Sequence, residues 1–506
     1  MRSFFLLFCI ASLASAQFGE RTGLEDTLAM VDGHAVTSRD LFERVSLMPF
    51  EEKVRERDFS AVKRKAVESL VGEYLLAEMS RPDDSTEWKA RFERTVMEHL
   101  FVRDALFKRQ VRERVRITDE ETALAMRQYA VRKRLLVAKF SSEAAASKFV
   151  KQWKQRAAAD TAGRRTIPDG ALQHDTLLIS FGSADSILER AAYSLTRKQQ
   201  IAGPVRSVMF GLVIAVLLED EPNPAATGRS FVDRHKIVTD MLRERKESQL
   251  QSALLAQLLR AQQMQADTTL FYDAAERMHN LMMRDTSARR VPVGYRYLAD
   301  DITSMMFEFR PQLDSAIIRG TFGAVPLGIF LEHLYFYEFS FPSMRPRLFV
   351  PSFFQLLRTV AESELIAKEG YARGLNYDVD VRREMGVWDR YRRSRLAEYT
   401  STDTIMTDVR ERLRGDTLFA ASAEGKDLAR IRAGRQADRV SSIIAAEALR
   451  RRVMIDYERI DRTEIPDVNM ITRRTIGFGG KMNAAPMLFP QWRWVEEWNR
   501  MKETAP

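Results

Sequence analysis

Cysteine is almost absent from this chain. The one thiol among 506 residues is Cys9, inside an apolar N-terminal stretch. Without that stretch the chain has no disulfide, no thiolate metal site and no cysteine nucleophile. Long apolar runs are missing as well. No later segment reaches the ~18 consecutive apolar residues of a transmembrane helix, which predicts a soluble chain with no membrane span. Histidine is scarce: the six, at 34, 99, 174, 235, 279 and 333, show no ligand spacing, so no metal site is expected. No Gly-x-Ser-x-Gly elbow, phosphate-binding loop or dinucleotide fingerprint occurs, and no cofactor or nucleotide is expected. The glycine-rich turn at 477–480 stands alone and indicates nothing specific.

What is present describes a globular protein of roughly three or four domains. Apolar residues make up 45% and charged residues 29%. The net charge of +9 comes from 79 basic and 70 acidic side chains, well interleaved. Nucleic-acid binding would want clustered bases and aromatic platforms. Arginine runs such as 450–452 read instead as solvated helix faces. A basic surface still favours acidic or unfolded polypeptides and anionic membranes. The N-terminus has the form of a signal peptide: Arg2, an apolar core at 4–13, and Ala14-Ser15-Ala16 as the cleavage site. Leu7-Phe8 before Cys9 do not suit lipid attachment. The expectation is export, with cleavage after Ala16.

Val31 to Thr37 read as a strand with a turn at Asp32-Gly33, and Thr37 to Asp40 as a capping box opening a helix. Helical periodicity continues over about 62–79 and 88–115, and Thr118 to Glu121 form a second capping box. The segment 131–218 differs from all of this. Apolar runs at 135–137, 176–179 and 211–217 alternate with helix-like pieces at 143–153 and 187–195, predicting a small α/β domain. Pro222, Asn223 and Pro224 mark a linker. Helices are expected at 231–265 and 270–283, then a loop at 287–297, then helices at 378–399, 404–414 and 437–451, and a strand at 453–457. Ala324-Val325-Pro326 matches Ala35-Val36-Thr37 at an offset of 289, and Leu365-Ile366-Ala367 matches Leu75-Leu76-Ala77 at 290. Two copies of one unit follow. The aromatics Phe489, Trp492, Trp494 and Trp498 are expected to dock on the helical body.

Two stretches suit adaptable apolar binding of peptide. Met278, Met282, Met283, Met305, Met306 and Phe307 cluster around one linker, with Phe309 close by, and methionine is flexible and polarizable. Tyr335, Tyr337, Phe339 and Phe341 alternate, so an extended segment would place all four on one face. The competing reading of both stretches is ordinary core.

The segment 31–42, the run Ile117-Thr118-Asp119-Glu120-Glu121 and the α/β insert resemble the SurA-type periplasmic chaperones and their parvulin-type (PpiC) peptidyl-prolyl isomerase relatives. Within the insert, residues 131–137, 141–145, 188–195, 203–207 and 210–214 carry the likeness. The resemblance implies an α+β, mainly α fold, a helical chaperone body with one small parvulin-like domain inserted. Its divisions are a signal peptide at 1–16, a helical domain at 17–130, the α/β domain at 131–222, a helical linker at 223–300, a second helical unit at 301–440, and a C-terminal segment at 441–506 docking on the body. It also implies unfolded or nascent envelope and secreted polypeptides as partners, periplasmic location, and no nucleotide. The departures are at the catalytic positions. Leu135 and Val213 stand where parvulins carry histidines, and His174 matches no family position. Prolyl isomerisation must lower a rotation barrier of about 18–20 kcal/mol with a polar network aimed at the amide. Two aliphatic residues remove most of that network. The reading is therefore a chaperone whose parvulin domain is weak or inactive. The alternatives are an active isomerase with a rearranged site and a non-catalytic assembly protein.

Overall fold

The computed structural model describes residues 25–48, 58–80, 84–159, 170–260, 262–337, 339–400, 413, 420, 422–465, 475–479, 482–483 and 493–504. The proposed signal peptide, the helix expected at 404–414, Phe489 and Trp492 lie outside the described residues. The fold is α+β and mainly helical. Among the described residues no helix is long and apolar enough to cross a membrane. The chain forms two compact units, one of residues 109–256 and one of residues 1–108 with 257–506.

The larger unit opens with a hairpin of β1 (Thr27–Val31) and β2 (His34–Thr37). Thr37 then caps α1 (Ser38–Leu47): its Oγ1 accepts from the Asp40 amide at 3.3 Å, and Asp40 Oδ2 accepts from the Thr37 amide at 2.9 Å. α2 (Phe59–Met79) and α3 (Asp84–Gln110) follow.

The smaller unit runs α4 (Asp119–Tyr129), β3 (Val131–Lys139), α5 (Glu143–Ala159), β4 (Gln173–Ile179), α6 (Ser186–Ser194), β5 (Ile201–Ser207), β6 (Gly211–Pro222) and α7 (Phe231–Leu259). Its four strands form an antiparallel sheet in the order β4-β3-β6-β5. Both faces are covered. Leu135, Val137, Val213, Ala215 and Leu217 pack with Leu188, Ala192 and Leu195 around α6. Leu136, Ala138, Ile214 and Val216 pack with Phe149 and Trp153 of α5. A sheet buried on two sides needs apolar side chains at successive positions, which is why these strands read as unbroken runs rather than alternating ones.

The larger unit resumes with β7 (Met264–Ala266), α8 (Thr268–Met283), β8 (Arg290–Val291), β9 (Gly294–Arg296), α9 (Ala299–Glu308), β10 (Ala316–Gly320), β11 (Gly323–Pro326), α10 (Leu327–His333), β12 (Ser340–Phe341), α11 (Pro346–Ala372), α12 (Val379–Thr400), α13 (Ala423–Arg450), β13 (Val453–Ile455), α14 (Tyr457–Arg462) and α15 (Trp494–Thr504). Residues 287–297, expected as loop, instead contain the β8–β9 hairpin, to which β12 adds a third strand. Gly294 makes this possible. Its φ is +115°, and a Cβ there would collide with the Phe341 carbonyl.

The internal repeat is visible in the hydrogen-bond register. Thr27 pairs with Thr37 and Val31 with His34. Ala316 pairs with Pro326 and Gly320 with Gly323. Every one of these positions is displaced by 289. Both hairpins carry a register shift at the same place and gain a third strand, β13 in the first copy and β7 in the second. Each is followed by a short helix and then a long one. The buried faces of α2 and α11 correspond at an offset of 290, as in Val67 and Leu357, Leu70 and Val360, or Leu75 and Leu365. Each copy also buries a carboxylate between its two helices. In the first, Glu73 Oε2 accepts from Arg44, and its Oε1 accepts from Arg390 Nε of α12 at 3.0 Å. In the second, Glu364 faces His333. Trp494 and Trp498 are buried in the cluster formed by β1, α1, α2 and α13, and Trp494 Nε1 donates to the Glu68 carbonyl at 3.0 Å.

Candidate functional site

In the smaller unit, the two positions where catalytic histidines were sought lie on adjacent strands of one sheet face. Leu135 and Val213 are each 0% exposed and belong to the same apolar cluster beneath α6. Leu135 has Leu177 and Leu217 as its cross-strand partners, and Val213 has Val205 and Lys139. Polar groups at the edges of this cluster are tied to the framework. Asp185 caps α6, accepting from the Ile187 and Leu188 amides at 3.2 and 3.1 Å and from Ser207 Oγ. Burial pushes its carboxyl up, but these hydrogen bonds outweigh burial and hold it below its ordinary range. Lys133 Nζ donates to the Leu195 carbonyl at 2.9 Å and pairs with Asp220. Glu189 accepts from the Gly182 amide and from Arg245 Nη2 at 2.6 and 2.7 Å. Tyr193 OH donates to the Val131 carbonyl at 2.8 Å, and burial raises its phenol well above the usual range. Apolar side chains do remain in solvent at the two segments that the Asp185–Ser207 bond joins: Ile187, Val208 and Met209 are all exposed, Val208 to 85%.

In the larger unit the candidate peptide-binding residues divide. Met282, Met305, Met306 and Phe341 are completely buried and belong to the core, as is Met278. The i, i+4 spacing of Met278 and Met282 on α8 turns both toward the core rather than outward. Met283 and Phe307 are exposed, and Phe307 lies edge-on to Trp88 with ring centroids 5.5 Å apart. The aromatic run at 335–341 does not form one extended segment. Residues 334–336 are a turn and only Ser340–Phe341 is strand. The tyrosines are held there by their hydroxyls, Tyr335 OH to Thr303 Oγ1 at 2.7 Å and Tyr337 OH to Ser363 Oγ. Phe339 is half-buried, edge-on to Phe341, which stacks on Phe349 at 4.3 Å.

Three possible metal ligands that lie far apart in the chain come together at one place. Glu364 on α11 stands 265 residues from His99 on α3 and 31 from His333 at the end of α10, yet its Oε1 lies 2.8 Å from His99 Nδ1 and 2.7 Å from His333 Nε2. His333 and Glu364 are buried, and His99 keeps a partly open edge. Burial pushes the Glu364 carboxyl up, but the two imidazoles outweigh it and hold the carboxyl far below its ordinary range. Burial lowers His333 despite Glu364, so its ring is neutral near pH 7. Immediately before His333 in the chain, Glu332 is also buried, and burial, with the nearby Glu93 carboxylate, pushes its carboxyl up to about 8. No local motif signals this cluster, because its members meet only through the packing of three helices.

Comparison with known proteins yields little. No family model and no curated protein matches the chain. Among solved structures, a peptidylprolyl isomerase, PrsA from Bacillus cereus, is similar over 47% of this chain and 93% of its own, with 14% identity and a TM-score of 0.17.

Proposed function

We propose that this chain is an exported chaperone that holds unfolded envelope or secreted polypeptides, with a prolyl isomerase activity that is weak or lost. The observation that carries the reading is the pair Leu135 and Val213, fully buried in one apolar cluster where a catalytic network would have to stand. A twisting amide needs preorganised donors or acceptors in a pocket it can enter, and among the described residues those packed around Leu135 and Val213 in this cluster are apolar. Binding needs only exposed, adaptable apolar side chains. Ile187, Val208 and Met209 on the smaller unit, and Met283 and Phe307 on the larger one, supply them. Hydrophobic contact by such scattered groups is weak and non-directional, which suits many unrelated unfolded segments better than one folded partner. The form of residues 1–16 supports export, and the periplasm is the compartment proposed.

The test uses the full chain in two assays. Stoichiometric protein is expected to suppress aggregation of an unfolded outer-membrane protein while leaving a proline-limited refolding reaction at its uncatalysed rate. Substituting Val208 and Met209 together by serine should weaken the suppression several-fold. Catalysed refolding that disappears on mutating the 131–222 domain would overturn the reading. Failure to suppress aggregation would leave the chain as an assembly protein without either role.

A further inference from the structure

The geometry points to a binding site for a single divalent transition-metal ion of the zinc type at His99, His333 and Glu364. The three donor atoms lie within 4.8 Å of one another. They come from three helices, α3, α10 and α11, so the cluster is a tertiary construction rather than a surface accident. Two imidazole nitrogens converge on one carboxylate oxygen, at 2.8 and 2.7 Å. As a purely hydrogen-bonded triad this requires both rings to donate to Oε1. His333 Nδ1 is then left as a bare acceptor, buried and without a partner. Unmade bonds of that kind cost about 1–3 kcal/mol. With a metal ion on Nε2, the proton moves to Nδ1.

The donor set selects the ion. Two imidazoles and one carboxylate suit zinc, cobalt or nickel, whereas magnesium and calcium prefer oxygen donors. Three protein ligands leave a fourth position for water or a small anion. Arg103, one turn beyond His99 on α3, favours the anion: its guanidinium is buried, and Nε and Nη1 have no hydrogen-bond partner. The fit requires a small adjustment. Tetrahedral bonds of about 2.0–2.1 Å separate ligand atoms by roughly 3.3 Å, so the present imidazole–carboxylate gaps must widen by about half an ångström. The helices that carry the ligands are otherwise closely set. A Cβ on Gly328 of α10 would lie 2.5 Å from the Phe92 ring of α3, and one on Gly370 of α11 would strike Val102. His99, the one ligand that is only partly buried, provides the entry path.

The test is titration of the chelator-treated full chain with Zn2+, read by calorimetry and metal analysis, and with Co2+, read by the visible absorption of a tetrahedral site. One equivalent is expected, bound at least tenfold more weakly by His99→Ala and Glu364→Gln and unchanged by His174→Ala, which removes an exposed histidine of the other unit. Far-UV circular dichroism identifies any variant that fails to fold. X-ray absorption of the zinc-loaded wild-type chain decides independently of the variants, with two imidazoles and one carboxylate expected in the first shell. Absence of a one-equivalent site, binding undiminished in a folded His99→Ala chain, or a different first shell would overturn the assignment.

Discussion

If the cluster around Leu135 is a dry core, a histidine there is a lesion and not a restored catalyst. Leu135→His removes a side chain that is 0% exposed and whose cross-strand neighbours are Leu177 and Leu217. The lost transfer of a leucine from water is worth about 1.5–3 kcal/mol. The imidazole brings two ring nitrogens into a cluster whose members are all apolar, and each unmade hydrogen bond there costs about 1–3 kcal/mol. The sum, about 3.5–9 kcal/mol, is large beside the 5–15 kcal/mol that hold a typical domain together. Every 1.4 kcal/mol is about a factor of ten in an equilibrium. Amides of β3 and β6 that exchange through opening of this unit should therefore exchange at least about 300-fold faster. Hydrogen-exchange mass spectrometry on the full chain reads this segment by segment, and β1, β2 and α2 of the other unit serve as the internal reference. The double substitution Leu135→His with Val213→His should be worse still and should not accelerate proline-limited refolding. An exchange rate within tenfold of wild type, or an introduced histidine that titrates as freely as one in water, would refute the claim that this interior is dry and shaped only for aliphatic groups.

Two further outcomes follow from buried charge and capping. Glu73→Ala strips the shared carboxylate from Arg44 and Arg390 and leaves two guanidinium groups buried without a counter-charge, a loss of about 3–5 kcal/mol in chemical denaturation of the larger unit; a loss below about 1 kcal/mol would show that water reaches the pair. Asp185→Ala should cost about 1 kcal/mol near pH 7 as a lost N-cap. Because the folded carboxyl is held below its unfolded value, that contribution is present above about pH 4 and fades as pH falls through the folded value, so wild type and variant should converge in acid; a gap that stays constant down to pH 2 would contradict this.

Local chemistry was readable from the chain. Thr37 and Thr118 are followed three residues later by Asp40 and Glu121, and both capping boxes form. The apolar runs at 135–138 and 212–217 are long because a helix covers each face of their sheet. The offset of 289 was visible in a handful of aliphatic residues, and the register of two hairpins now repeats it position by position. Features made by distant partners were not readable. The strands β8 and β9 span two and three residues, too short for any period to emerge, and β12 pairs with β9 from more than forty residues away. The alternating aromatics at 335–341 imitate a strand, but hydroxyl bonds from Tyr335 and Tyr337 hold the segment in a turn. Met278 and Met282 have the composition of a binding surface and the i, i+4 spacing of a core, and burial follows the spacing. His99, His333 and Glu364 carry no signature in sequence because a contact across 265 residues leaves no local pattern.

The two hairpins differ in when their third strand arrives. In the second copy β7 precedes β10, so all three strands have been made once residue 326 has emerged. In the first copy Ala29 must wait for Ile455, which comes 426 residues later. At about 5–20 residues per second, synthesis leaves β1 without its outer neighbour for roughly 20–85 s. An open strand edge invites pairing with any extended segment nearby. The smaller unit, built from one uninterrupted stretch of chain, can close its own sheet in the meantime. For that interval the nascent first half is itself an unfinished polypeptide with an edge to protect.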